Sequence, residues 1–202
     1  MPWWLQALPR LEDSMTLRMS LLALISLLLL ADPAHARSLA APTTSNAEMT
    51  RLYNEDQSDR EPDEIDWDKV TARDEQRRLA TRALLTAGAL HTAEDYEHAA
   101  FIFQHGSKAD DYLLAHTLAM VAVGKGDKSS LWIASATLDR YLMMIGKPQV
   151  YGTQFRGSMG QEPYDRNLVS DALRSELGVP ALARQAEQLE ALRAARAAAV
   201  KP

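Results

Sequence analysis

The spacing of apolar and polar residues in the middle of the chain predicts a series of helices separated by short turns. One helix begins at Asp66 or Asp68, whose side chains can accept the first free backbone N–H groups, and ends at Gly88. Three further helices, each followed by glycine, are expected over residues 93–105, 109–123 and 128–145. Short connections between helices of this length produce antiparallel hairpins. The pattern therefore predicts an all-α fold, built as a bundle or a short solenoid-like array of helical hairpins.

Residues 147–167 interrupt this pattern with glycine and proline, which predicts a long loop. A short helix is expected over 170–177. Apolar residues recur at helical spacing over 181–200, so we expect a C-terminal amphipathic helix that packs on the domain. The alternative for this helix is binding to a partner or to a membrane surface.

Composition supports the helical interpretation and narrows the function. The 202 residues are 47% hydrophobic and 6% aromatic, with many Ala and Leu and few β-branched side chains. The chain has no cysteine, which excludes thiol nucleophiles, thiolate metal sites and iron–sulfur clusters. A net charge of -5 provides no basic surface for nucleic acid.

The N-terminal part has the pattern of a secretory signal peptide. An apolar run from Leu21 to Ala31 follows Arg18 and precedes the small-residue exit Ala34-His35-Ala36. A permanent membrane helix would need about 20 apolar residues. We therefore expect cleavage after Ala36 and export to the periplasm or the extracellular space, with Met15 as an alternative start.

These patterns divide the chain into four segments. Residues 1–36 form the signal peptide, and residues 37–51 have the composition of a linker. Residues 52–156 form a helical core domain, and residues 157–202 supply a loop and C-terminal helices that pack on it. The acidic stretch 49–64 is expected to be a solvated lead-in or a short helix.

The side chains left for chemistry are those of His, Asp, Arg and Gln. His105 ends a helix, where the negative end of the helix dipole also stabilises a protonated imidazole. His98 is expected level with His116 on the neighbouring helix, with Asp95 one turn away. These three are weak candidates for zinc or iron ligands, and a polar stripe is the alternative. Asp139 is expected to pair with an arginine or a histidine, because buried carboxylates need partners.

Four motifs together resemble an uncharacterised bacterial family of unknown function. They are Phe103-Gln104-His105-Gly106, Ala115-His116, Asp139-Arg140 and Gln149-Val150-Tyr151-Gly152-Thr153-Gln154. The likeness spans roughly residues 52–156 and includes Asp56-Gln57 with Arg60, Asp74 with Arg77, and Asp95-Tyr96. The family brings no activity with it. The resemblance implies that one set of polar residues forms a unit: Gln104, His105, His116, Asp139, Arg140, Gln149, Thr153 and Gln154.

Two functions remain open. The first is a binding or interaction module for a peptide or a polar small ligand, with Gln104, Gln149, Thr153 and Gln154 in contact with the ligand. The alternative is a hydrolase in which Asp139 orients His105 or His116 as general base and Arg140 stabilises negative charge. The phosphate-binding loop, the serine nucleophile elbow and the His-Glu-x-x-His motif are missing from the sequence. We expect no cofactor, no nucleic-acid partner and no membrane span after signal cleavage.

Overall fold

The computed structural model describes residues 44–62, 64–156 and 160–199, and the predicted signal peptide lies outside this part of the chain. Seven helices form the regular structure of the described residues: α1 (Ala47–Ser58), α2 (Trp67–Thr86), α3 (Ala93–Gln104), α4 (Ala109–Gly124), α5 (Ser130–Met144), α6 (Asp171–Glu176) and α7 (Leu182–Ala199). There is no β-strand in these ranges, only two isolated bridges in the long loop. The prediction of an all-α fold is confirmed.

Local hydrogen bonds explain where most helices begin. The Asp66 side chain accepts the backbone N–H of Lys69 at the start of α2. Thr92 and Asp95 form a capping box at the start of α3, in which each side chain accepts the backbone N–H of the other residue. Such bonds satisfy donors that the first helical turn leaves free.

Two polar residues that precede helices in the sequence, Ser107 and Asp127, do not cap them. Lys108, not Ser107, occupies the position before α4, and it makes no side-chain cap there. Asp127 accepts the backbone N–H of Ser129 and the hydroxyl of Ser130, so it closes a turn and α5 begins only at Ser130. At Asp127 a tight turn, rather than the helix itself, uses the polar side chain.

The core lies where α3, α4 and α5 pack against one another in chain order. The connections between them are residues 105–108 and 125–129, as hairpins require. The contacting faces contain many fully buried alanines: Ala99, Ala100, Ala115, Ala119, Ala134 and Ala136. Small side chains allow helix backbones to approach closely, so alanine here builds the core as well as favouring the helix.

Helix α1 belongs to this core, although it begins inside the segment predicted to be a linker. It packs on α2 and α3 and buries Met49 and Leu52 completely or nearly so. Asn46 caps it by accepting the Met49 N–H at 3.0 Å. Because the outer face of α1 is acidic, its short apolar face is difficult to recognise in the sequence.

The long loop is held between α5 and the two C-terminal helices. Arg174 of α6 is completely buried and donates to the Tyr151 carbonyl at 2.9 Å. Gln185 of α7, also buried, donates to the same carbonyl at 2.9 Å. The amphipathic helix therefore packs on the loop. Within the described ranges, no helix combines the length and the apolar character that crossing a membrane requires.

Candidate functional site

His105 lies at the end of α3 and forms a pair with Asp56 of α1. Its Nδ1 is 3.0 Å from Oδ1 of Asp56, which is 1% exposed. Because an ionised carboxylate only accepts hydrogen bonds, Nδ1 carries the proton in this pair. The lone pair of the neutral ring then resides on Nε2. His105 is half-buried and lines an open cleft.

An ion-pair network surrounds this pair. Arg60 donates to Asp56 at 3.0 Å and to Asp74 at 2.7 Å, and so joins α1 to α2. The network contains three carboxylates and three guanidinium groups: Asp56, Asp59, Asp74, Arg60, Arg73 and Arg77. Burial tends to raise the pKa of Asp59, but hydrogen bonds from Arg77 and Arg73 outweigh it and lower that pKa. The network is balanced in charge.

Within the described residues, Asp56, Asp74 and His105 form a group of potential metal ligands. One donor atom of each lies within 4.8 Å of the other two. Arg60 already bonds both carboxylates, so its guanidinium occupies the position in which a cation would neutralise them. This group is not the one proposed from the sequence.

The metal-ligand candidates from the sequence make other contacts. His98 is buried and stacks on Tyr53, with 4.0 Å between ring centroids and 10° between planes. Its Nδ1 has no hydrogen-bond partner in the part of the chain that the structure describes, and burial lowers the pKa of His98. His116 bonds the Ala134 carbonyl of α5 through Nδ1 at 2.9 Å.

Asp95 acts at the N-termini of α1 and α3. Its carboxylate accepts the backbone N–H groups of Asn46, His91 and Thr92 at 2.6, 2.8 and 2.9 Å. Burial tends to raise the pKa of Asp95, but these hydrogen bonds outweigh it and lower the pKa. The carboxylate thus has a structural use that explains its burial.

Arg140 of α5 brings a further positive charge to the end of α3. Its Nη1 donates to the Gln104 carbonyl at 2.9 Å, while its Nε is buried and has no hydrogen-bond partner among the described residues. No carboxylate in the described part of the chain lies within ion-pair distance of Arg140. Burial lowers the pKa of this guanidinium, and the positive charges of Arg156 and Arg60 lower it further.

These groups line a cleft between α2, the α3–α4 turn and α5. One cavity of about 580 Å³ is lined by Arg60, Ile65, Trp67, Thr71, Asp74, Gln104, His105, Gly106 and Arg140. A second cavity of about 690 Å³ continues along α2 and shares Thr71, Asp74, His105 and Gly106 with the first. Of the eight polar candidates from the sequence, Gln104, His105 and Arg140 meet here.

Asp139 contacts the long loop. Its Oδ1 accepts the Val150 and Tyr151 N–H groups at 2.7 and 3.0 Å. Its Oδ2 accepts the N–H and the hydroxyl of Thr153 at 3.0 and 2.8 Å. The expected pair between Asp139 and His105 or His116 is therefore wrong for the residues that the structure describes. Hydrogen bonds from the loop occupy both oxygens of the Asp139 carboxylate.

Gln149 and Gln154 bond to each other across the same loop. The Gln149 side chain is fully buried, donates to the Gln154 carbonyl and accepts its N–H, both at 3.0 Å. Gln154 donates to the Ala136 carbonyl of α5 at 3.2 Å and to the Thr153 hydroxyl at 3.0 Å. The ligand-binding role of these residues stays a prediction, and their bonds account for their presence in the motif.

Two motif glycines are needed for close packing. A Cβ at Gly106 would collide with the Asp111 side chain. Gly152 has a φ of 79°, and a Cβ there would collide with Gln185 and Tyr164. Both positions exclude a side chain for structural reasons.

Comparisons with family models, with curated proteins and with solved structures return no match to this chain. The site is therefore interpreted from its own geometry.

Several residues of the cleft are not among the sequence candidates. Asp56 and Arg60 are four positions apart, and Asp74 and Arg77 are three apart, which is the spacing of neighbours on one helix face. That repeated Asp–Arg spacing was the signal for an ion-pair network. Trp67 has no comparable signal, because its exposure in a cavity depends on the tertiary fold.

Proposed function

We propose that the protein is an exported binding module whose cleft holds a polar small ligand or a peptide end through an anionic group. The observation that carries the proposal is Arg140. It is half-buried, only its Nη1 has a hydrogen-bond partner among the described residues, and it lines a cavity of about 580 Å³. A guanidinium binds carboxylate and phosphate groups through charge-assisted hydrogen bonds.

The charge balance supports an anion rather than a cation as ligand. In the cavity that contains Arg140 the lining carboxylate is Asp74, and it and the adjoining Asp56 are neutralised by Arg60 and Arg77. Arg140 adds a positive charge that no described carboxylate offsets. An anion would restore neutrality in a partly buried place, where charge interactions are stronger than in bulk water.

His105 supports the same proposal with a second polar contact. Asp56 fixes the ring through Nδ1, and His105 lines both cavities of the cleft. In this tautomer Nε2 is an acceptor, so it suits a hydroxyl or amine on the ligand.

Export to the periplasm or the extracellular space is part of the proposal, as is membership of the bacterial family that the motifs resemble. The apolar run, the preceding arginine and the small-residue exit support export. Sequencing the N-terminus of the secreted protein tests it, and Arg37 is the expected first residue.

Anion titration tests the binding proposal. Calorimetric titration with inorganic phosphate and with acetate should show one site, and Arg140→Gln should weaken it by about tenfold or more. Arg184→Gln is the matched control, because Arg184 forms an exposed ion pair with Glu187 on α7. Equal affinity in Arg140→Gln and the wild type would overturn the proposal.

A hydrolase is the second candidate, favoured by the distance of 3.0 Å between His105 and Asp56. In this mechanism Asp56 takes the orienting role first given to Asp139. Nε2 of His105 would accept a proton from the attacking water, and Arg140 would stabilise the negative oxygen that forms.

The two candidates differ in turnover. If the protein is a hydrolase, chromogenic esters and phosphate esters should be hydrolysed at a rate that His105→Gln abolishes and Asp56→Asn reduces. Anion binding without any turnover across such a panel selects the binding module.

A further inference from the structure

We infer that the ligand of the cleft is an aromatic anion, a planar ring that carries a carboxylate or phosphate group. The inference rests on the proposed function, since it names the class of ligand for the same site. It is based on the apolar lining of the cavity, to which Trp67 and Ile65 contribute together with Arg140 and His105.

Trp67 presents an open ring surface from a fixed position. It is the first residue of α2, directly after the cap Asp66, and 60% of it is exposed. The buried Val70 anchors the same helical turn. No aromatic or cation–π contact within the described ranges involves the Trp67 ring. The indole is thus positioned by the helix and left available for stacking.

The size of the cavity agrees with a ligand larger than a simple anion. Small-molecule sites commonly have volumes of roughly 300–1,000 Å³ and combine apolar walls with a few polar groups. The cavity of about 580 Å³ falls in this range. A single phosphate or carboxylate group fills only a small part of it. An attached ring occupies the remaining space beside the indole.

The polar and the apolar lining residues of the cavity recognise different parts of the ligand. The positive charge of Arg140 selects the charged end of the ligand, and Nε2 of His105 can accept a hydrogen bond from a hydroxyl or amine beside it. Trp67 and Ile65 favour a flat apolar group over a flexible polar one, because stacking removes the facing surfaces of the indole and of the ligand ring from water. Neither set of residues alone distinguishes an aromatic anion from its simpler analogues.

Paired titrations of the purified full chain test the inference. Phenyl phosphate is compared with inorganic phosphate, and benzoate with acetate, so that each pair differs only in the ring. We expect the aromatic member of at least one pair to bind about tenfold more tightly. The pair with the larger affinity identifies whether phosphate or carboxylate is the natural group.

Trp67→Ala should remove the preference for the ring and leave the affinity for the simple anion unchanged. Trp132→Ala is the control, since Trp132 is 43% exposed but lines a different cavity beside α7. Equal affinity for the two members of both pairs, or an unchanged preference in Trp67→Ala, overturns the inference while the anion site stands. Failure of all four compounds to bind overturns the proposed function itself.

Discussion

The cleft and the long loop contain the same kinds of polar side chain but use them differently. At the loop, Asp139 of α5 and Gln149 are completely buried, and their carboxylate and amide oxygens accept backbone N–H groups of the loop. In the cleft, Arg140 and His105 line open cavities, and among the described residues only Nη1 of the Arg140 guanidinium has a hydrogen-bond partner. The loop thus follows the rule that buried polar groups are paired, whereas the cleft keeps unpaired polar groups at a cavity.

The comparison separates residues that stand side by side in the sequence. Asp139 and Arg140 are adjacent on α5 but project about 100° apart, so one faces the loop and the other the cleft. The Asp139 carboxylate stabilises the fold, and the Arg140 side chain lines the cleft. Two adjacent residues of one sequence motif can therefore belong to different parts of the structure and have different roles.

The largest expected effect is in the loop. Asp139→Ala leaves the N–H groups of Val150, Tyr151 and Thr153 without their acceptor. Each buried donor without a partner costs about 1–3 kcal/mol, so the free energy of unfolding should fall by about 3 kcal/mol or more. Urea denaturation measures this loss.

The same variant tests the separation of roles. Phosphate affinity per folded molecule should be unchanged in Asp139→Ala, and Glu190→Ala, an exposed carboxylate on α7, should change neither quantity. A loss of phosphate binding without a loss of stability would show that the loop belongs to the site.

An intermediate effect is expected in the cleft. Arg60→Ala removes the guanidinium that bonds Asp56 and Asp74, which should cost about 1–3 kcal/mol of the free energy of unfolding. It also removes one of the two described guanidinium groups that neutralise Asp56 and Asp74, whose donor atoms lie within 4.8 Å of each other and of His105, and leaves only Arg77 beside them. We expect this variant to gain binding of Zn²⁺ or Co²⁺.

Melting temperature with and without Zn²⁺, and the visible spectrum with Co²⁺, detect the gain. Arg73→Ala is the control, because Arg73 pairs with Asp59 and bonds neither Asp56 nor Asp74. If Arg60→Ala and Arg73→Ala respond alike to both metals, the hypothesis that the Arg60 guanidinium occupies the position of a metal ion is wrong.

The smallest effect is expected at His98, outside both regions. Burial lowers its pKa from 6.5, although Glu94 and Asp95 oppose the shift. The unfolded chain therefore takes up the proton at a higher pH than the folded protein. The contribution to stability is complete above pH 6.5 and is lost as the pH falls below it.

His98→Phe should keep the stacking on Tyr53 and reduce the loss of stability between about pH 7.5 and about pH 5.5. Urea denaturation at the two pH values measures it. His91→Gln, a change at an exposed histidine, should retain the wild-type pH dependence. A pH dependence that is identical in His98→Phe and the wild type would contradict the expectation.

The fold was largely predictable because helix boundaries depend on local chemistry. The capping box of Thr92 and Asp95 and the cap at Asp66 act within one turn, so they are visible in the sequence. Helix α1 was less visible, because its burial depends on Met49 and Leu52 contacting helices distant in the chain. Tertiary contacts decide burial where the helical pattern is weak.

The site was predictable only in part. His105, Gln104 and Arg140 were recognised as candidates, and the cleft brings them together. The acid that orients His105 was not, because Asp56 is 49 residues away in the chain and a sequence carries no distances. Three helices must pack before the partner of this histidine is decided.

The four hydrogen bonds to Asp139 also bear on how the loop exchanges its amide protons. Amides exchange with deuterium from solvent only when their hydrogen bonds open. Three loop amides share one buried carboxylate, so they should open together and slowly, at a rate closer to that of α5 than to that of an ordinary surface segment. Irregular backbone can thus belong to the most protected part of a protein.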